Sequence, residues 1–161
     1  MIQARTKSVD DTRALAAELA AFARPGDLVL LSGGLGSGKT AFVQGFARGL
    51  GIEEPVTSPA FVLVKTYYGR IPLVHLDVYR LDHFQEFVDL GIAELLDEGG
   101  VTVIEWGDVV TGVLPADFLE VRLEAGESED ERIVTIAATG PRWPGRLRAM
   151  EESVALWAPG A

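Results

Sequence analysis

The order of apolar and polar positions along the chain alternates strand-like runs with helical stripes. Residues 2–7 read as a first strand. Ser8 is placed to cap a helix, with Asp10 and Asp11 in its first turn, and Leu15, Leu19 and Phe22 form a buried stripe over about 9–23. Pro25-Gly26 marks a turn, and Asp27–Ser32 is a short apolar run of the kind that forms a buried parallel strand. Phe42, Val43, Phe46 and Leu50 then recur at helical spacing, with Gly49 or Gly51 to end the helix. Residues 51–60 hold two prolines and predict a loop.

Two strand-like runs follow, Phe61–Tyr68 and Ile71–Tyr79, and only Gly69-Arg70 separates them, which predicts a tight antiparallel hairpin. In the second run Val74, Leu76 and Val78 share one face, and His75, Asp77 and Tyr79 the other. The apolar face is expected to pack inward, leaving Asp77 to point elsewhere, toward a nucleotide. Asp82 is placed to cap a helix through about residue 90, and a second short helix is expected over 92–98. Gly99-Gly100 breaks the chain before the buried-strand pattern Val101–Ile104, which ends in Glu105-Trp106-Gly107. Two late strands, about 118–124 and 131–138, flank a polar loop, and a final helix is expected over 146–157. No repeat and no second domain are visible. Residues 1–140 read as one domain and 141–161 as a partly helical tail.

Composition narrows the class. A chain of 161 residues with 48% apolar content and 18 glycines suits a single α/β domain with a full core. No run of about 18 apolar residues exists to span a membrane. The start of the chain lacks the apolar core of a signal peptide, so a cytoplasmic protein is expected. With no cysteine there are no disulfides or thiolate metal sites, and two histidines leave little for zinc. The net charge of −10, from 24 acidic and 14 basic residues, argues against a broad nucleic-acid footprint. Arg142, Arg146 and Arg148 are the only basic cluster, and they read as a solvated tail.

The chemistry is carried by residues 33–40, Gly-Gly-Leu-Gly-Ser-Gly-Lys-Thr, a complete phosphate-binding loop between a strand and a helix. Its glycines let backbone N–H groups turn toward phosphates, and the helix that follows directs its positive end at them. The expected nucleotide-binding set is Gly33, Gly34, Leu35, Gly36, Ser37, Gly38, Lys39, Thr40 and the adjoining Ala41. Lys39 reaches the β- and γ-phosphates, and the Thr40 hydroxyl ligates Mg²⁺. Asp77 and Glu105 stand at strand ends, where a Mg²⁺ ligand and a water-positioning acid belong. Spacing does not assign which does which. Surface pairing of Asp77 with Arg80 and a plain strand-end charge at Glu105 are the bland readings. Thr57 and Ser58 fit either a phosphate-sensing loop or an ordinary turn, and Trp106 either a stacking platform or a core residue. His75 reads better as a satisfied structural residue than as an active one. Nothing resembles the Asn-Lys-x-Asp guanine reader, which leaves adenine. No internal arginine is an obvious γ-phosphate finger, Arg80 being only a candidate, so low activity alone and stimulation by a partner are expected.

In this order the motifs resemble one family, TsaE, the bacterial ATPase subunit of tRNA threonylcarbamoyladenosine synthesis. The residues concerned are Gly33–Thr40 with Phe42 and Gly45, the run Val56–Val64, His75-Leu76-Asp77-Val78-Tyr79-Arg80-Leu81, Leu90-Gly91-Ile92, Ile104-Glu105-Trp106 and Leu114-Pro115. The resemblance covers roughly residues 8–135. It implies a compact P-loop NTPase-like three-layer α/β sandwich with a mixed parallel and antiparallel sheet, binding ATP and Mg²⁺. It also implies action on a TsaB–TsaD partner complex that performs the threonylcarbamoyl transfer itself, so that tRNA is met only through that complex. Lys39, Asp77 and Glu105 would then be catalytic, and Thr40, Asp77 and Glu105 the metal ligands. Thr12 and Arg132 match positions close to the adenosine. A small-molecule kinase and a nucleotide-gated binding module are the alternatives. The hairpin behind the loop helix and the absence of a clear lid disfavour the kinase.

Two positions depart from the family pattern. Gly34 stands where Asp is usual, and Ala60 where Thr is usual. Ala60→Thr, which restores a hydroxyl for metal or phosphate, is expected to raise turnover in the partner complex, measured as phosphate release. An unchanged rate removes a switch role from this position.

Overall fold

A computed structural model describes residues 1–34, 36–57, 64–77, 91, 94, 99–105 and 115–160. Among these, the strands are β1 (Ile2–Thr6), β2 (Leu28–Ser32), β3 (Val64–Tyr68), β4 (Pro72–Asp77), β5 (Val101–Glu105), β6 (Phe118–Ala125) and β7 (Arg132–Thr139). The helices are α1 (Val9–Ala20), α2 (Lys39–Gly49) and α3 (Pro144–Ser153), followed by a 3₁₀ turn at Ala155–Trp157. The seven strands form one mixed sheet in the order β1-β7-β6-β2-β5-β4-β3. The middle of the sheet is parallel, with β2 beside both β5 and β6 and with β4 beside β5. The pairs β1–β7, β6–β7 and β3–β4 are antiparallel. The α/β class and the mixed sheet are as the sequence implies.

Burial follows from that arrangement. β2 and β5 are buried at every position, whereas β1 and β6 alternate buried with exposed or half-buried positions. Val29, Leu31, Leu73, Val101 and Val103 share a core with Leu15, Leu19, Phe42 and Phe46 of α1 and α2. Leu28, Leu30, Val74, Leu76 and Ile104, on the opposite face, are equally buried. The helices expected over 82–90 and 92–98 lie outside the described residues, apart from Glu94, as do residues 58–63, 78–80 and 106–114. β4 corrects the one-sided reading of its sequence. His75 and Asp77 are buried, and they share the face that carries Leu73 and packs on the α1–α2 core.

Local chemistry explains the element ends. Ser8 caps α1 as expected, its hydroxyl accepting from Asp11 N at 3.0 Å while the Asp11 carboxylate accepts from Lys7 N at 2.9 Å. The connection between β3 and β4 holds three residues, 69–71, because the turn docks on its neighbours. Arg70 N donates to Leu50 O at 2.7 Å, and Arg70 Nη2 donates to Ala20 O at 2.9 Å, a carbonyl at the C-terminal end of α1.

Helices α1 and α2 touch backbone to backbone. A side chain at Gly45 would collide with the Arg13 carbonyl, and one at Gly49 would lie 2.5 Å from Ala17 O. Gly45→Leu is therefore expected to cost about 3 kcal/mol or more in urea unfolding, since the helices cannot separate without opening the core.

The C-terminal segment corrects another expectation. Arg146 is buried and forms a two-pronged pair with Asp27, Nη1 to Oδ2 at 2.7 Å and Nη2 to Oδ1 at 2.9 Å. Arg142 Nη1 reaches Asp27 Oδ1 at 3.4 Å, and only Arg148 of the cluster is fully solvated. Trp143, Met150 and Val154 belong to the core, and Trp157 Nε1 donates to Asp11 Oδ1 at 2.6 Å. Asp27 has no exposed surface, so an unpaired carboxylate there is costly. Arg146→Ala is expected to lower unfolding stability by about 3 kcal/mol, with Arg142 limiting the loss. A loss below about 1 kcal/mol in urea titration counts against a structural role for the pair.

Candidate functional site

The phosphate loop leaves β2 at Ser32 and enters α2 at Lys39. Gly38, the residue before the helix, has φ +100°, a conformation that side-chain-bearing residues rarely adopt, and no side chain caps the helix. A helix start without a side-chain cap is of the kind that can receive an external acceptor. The loop is drawn inward by Lys39, whose Nζ donates to Gly33 O at 2.8 Å and Gly34 O at 3.0 Å. Ser37 N donates to Gly34 O at 3.1 Å and closes a turn inside the loop.

Arg132, the first residue of β7, braces the loop from outside. Its Nε donates to Ser37 O at 2.9 Å and its Nη2 to Gly36 O at 3.1 Å. Its Nη1 donates to Glu129 O at 2.6 Å and Glu131 O at 2.8 Å, which fixes the guanidinium to the β6–β7 turn. The family resemblance implies that Arg132 lies near the adenosine. Its contacts with the loop backbone were not legible, because they join residues about 95 positions apart.

The parallel register supplies the acids. Asp77 pairs with Glu105 across β4 and β5, so both strands end with a carboxylate at the same edge, and Leu31 of β2 pairs with Glu105 on the other side. Both acids are buried, at 7% and 3% exposure. His75, two residues before Asp77 and on the same face, brings Nε2 to 2.5 Å from Glu105 Oε2. The structural reading of His75 thus acquires a specific partner.

A cavity of about 320 Å³ joins these parts, lined by Gly36–Ala41 of the loop and α2, by Asp77 and Glu105, and by Val9 and Arg132. That size lies in the range of small-molecule sites. The structure therefore brings together Gly36, Ser37, Gly38, Lys39, Thr40, Ala41, Asp77, Glu105 and Arg132. Gly33 and Gly34 line an adjoining hollow of about 560 Å³ on the β6 side, which shares Gly36, Ser37 and Arg132 with the first. Thr12 is not among the lining residues. It is buried, its hydroxyl lies 2.7 Å from Thr6 Oγ1, and it donates to Ser8 O at 3.2 Å, so α1 presents Val9 instead. Thr57 is also outside the lining. Its N–H meets the Tyr67 hydroxyl at 3.4 Å, and the preceding Val56 O accepts from Gln44 Nε2 at 3.1 Å. Leu35, Ser58, Ala60, Arg80 and Trp106 lie outside the described residues.

The donors at the cavity are a hydroxyl from Thr40 and carboxylates from Asp77 and Glu105. An all-oxygen set of this kind suits Mg²⁺, which takes one or two carboxylates and completes its shell with water and phosphate. Among the described residues no group of three or more His, Cys, Asp or Glu side chains gathers into a self-sufficient metal cage. The described residues alone therefore leave part of an ion's shell to other ligands.

Comparison with known proteins agrees with the geometry. Residues 6–134 match the family model of the threonylcarbamoyl adenosine biosynthesis protein TsaE. A tRNA threonylcarbamoyladenosine biosynthesis protein TsaE from Bacillus subtilis is 43% identical over 140 residues, which is 86% of this chain and 87% of that protein. The Treponema pallidum protein of the same name is 40% identical over 132 residues, covering 82% of this chain and 97% of its own length. The crystal structure of YdiB from Bacillus subtilis superposes with a TM-score of 0.81 at 36% identity, covering 94% of each chain. With a family match spanning most of its length and relatives of this similarity, the chain belongs to the TsaE family.

Proposed function

We propose that this protein is a Mg²⁺-dependent ATPase that serves tRNA threonylcarbamoyladenosine synthesis, acting on a TsaB–TsaD-type complex rather than transferring the group itself. The pathway follows from family membership and from the names of the relatives. The observation that carries the chemistry is the uncapped start of α2, which faces the same cavity as two adjacent strand-end carboxylates.

In this reading the N–H groups of Gly36–Ala41 and the Lys39 ammonium hold the phosphates. Lys39 gives up the Gly33 and Gly34 carbonyls when phosphate arrives. Thr40, Asp77 and Glu105 would hold Mg²⁺ between them, which supplies charge neutralisation on the β- and γ-phosphates. Glu105 or Asp77 orients the attacking water. Val9, 41% exposed at the cavity, offers the nucleoside an apolar surface. Among the described residues, Arg132 is the arginine at the cavity, and its N–H groups already hold backbone carbonyls. Among the described residues no arginine at the cavity is left to act as a γ-phosphate finger, Arg80 lying outside them, and a finger supplied by a partner would fit slow hydrolysis alone and stimulation by that partner. The net charge of −10 agrees with docking on protein rather than gripping tRNA.

The test is phosphate release, with and without the partner pair. Lys39→Ala is expected to weaken ATP binding by about 100-fold or more. Glu105→Gln should bind ATP normally and hydrolyse it about 100-fold more slowly. Chelation of Mg²⁺ should abolish release. Phosphate transfer to a metabolite, or Glu105→Gln turning over like wild type, overturns the assignment.

A further inference from the structure

The geometry points to His75 as a positioning residue that aims the Glu105 carboxylate for hydrolysis, an inference that rests on the ATPase reading above. Its basis is one buried polar contact at the cavity wall. His75 has no exposed surface and Glu105 has 3%. Their contact, His75 Nε2 to Glu105 Oε2, crosses diagonally between β4 and β5, since His75 is in register with Val103 and Glu105 with Asp77. Glu105 lines the cavity, whereas His75 does not. His75 thus acts through Glu105 and not on substrate.

The chemistry at each atom is definite. A carboxylate oxygen accepts, so Nε2 of His75 carries the proton. The other ring nitrogen, Nδ1, is buried and has no hydrogen-bond partner among the described residues. A bare lone pair is tolerated there more easily than a buried N–H with nothing to accept it. A ring with hydrogen on Nε2 facing Glu105 satisfies both demands. It ties one oxygen of Glu105 to the strand face and leaves the second oxygen for the cavity, where Asp77 and Thr40 also stand.

The alternative is that His75 merely satisfies a buried acid. Positioning makes a narrower claim. An untied Glu105 rotates about its side-chain torsions, and a displacement on the order of 1 Å of a catalytic group costs about 100-fold in rate. Uniform binding of ATP through the loop and Lys39 is untouched, so the loss falls on kcat and not on KM. Gln places its amide nitrogen at the reach of Nε2, whereas Leu has no donor.

The test uses the full chain with its stimulating complex and measures ATP turnover, ATP affinity and melting temperature for His75→Gln, His75→Leu, Glu105→Gln, Lys39→Ala and the double variant His75→Leu with Glu105→Gln. His75→Leu is expected to lower kcat by about 100-fold per folded molecule with KM for ATP within about twofold. His75→Gln should recover at least a third of wild-type kcat, roughly 30-fold above Leu. On the Glu105→Gln background, His75→Leu should change the rate by less than about twofold, because the group it positions is already disabled. Should His75→Leu not fold, His75→Gln against His75→Asn reads the same point, since Asn places its donor at the Nδ1 position and should lose the rate that Gln keeps. Equal losses in the Gln and apolar variants, an unchanged kcat in His75→Leu, or fully multiplicative losses in the double variant overturn the inference alone. Wild-type turnover no greater than that of Lys39→Ala overturns the ATPase reading and this inference with it.

Discussion

Contact between the backbones of α1 and α2 sets the position of the rest. Gly45 and Gly49 admit Arg13 and Ala17 where any side chain would stand. Two helices that meet at this distance leave little room to shift, and both rest on the same sheet face through Leu15, Leu19, Phe42 and Phe46. α2 begins at the phosphate loop, so the helix contact fixes how far the loop stands from the strand ends of β4 and β5. It also sets Val9, at the start of α1, beside the cavity. Arg13 strengthens the arrangement from the side, with Nε and Nη2 both donating to Gln44 Oε1 at 3.1 and 3.0 Å.

Against that frame the parallel register does the electrostatic part. Adjacent carboxylates at Asp77 and Glu105 repel one another in a poorly solvated place. Holding them there requires compensation. His75 supplies part of it to Glu105.

Features governed by local rules were legible in the chain. Ser8 as a cap, β2 as a buried strand, the hairpin after the loop helix and the loop itself all follow from neighbours within a few residues. Features governed by distant partners were not. Arg146 looked like a solvated cation because Asp27, its partner, is 119 residues away. The β4 pattern suggested that only one face packs inward because alternation describes a sheet covered on one side, whereas this strand, parallel to β5 and antiparallel to β3, is buried on both faces. Thr12 matches a family position near the adenosine through the resemblance alone, and what its hydroxyl engages, Thr6 and Ser8, follows from the fold. The pair formed by His75 and Glu105 needed the relative stagger of β4 and β5, which no single-chain pattern encodes.

The pairing of β1 has a consequence for how the molecule is made. Its neighbour is β7, with Ile2 opposite Ile136. The first strand to leave the ribosome waits for a partner synthesised far later, roughly ten seconds at ordinary translation speeds. Arg132, which braces the phosphate loop, arrives with the same strand. A nascent chain can form the α1–α2 contact early but cannot complete the cavity that Arg132 lines until translation has passed the start of β7. The order of synthesis thereby leaves the loop over 33–40 without its brace until almost the whole sheet is available to support it.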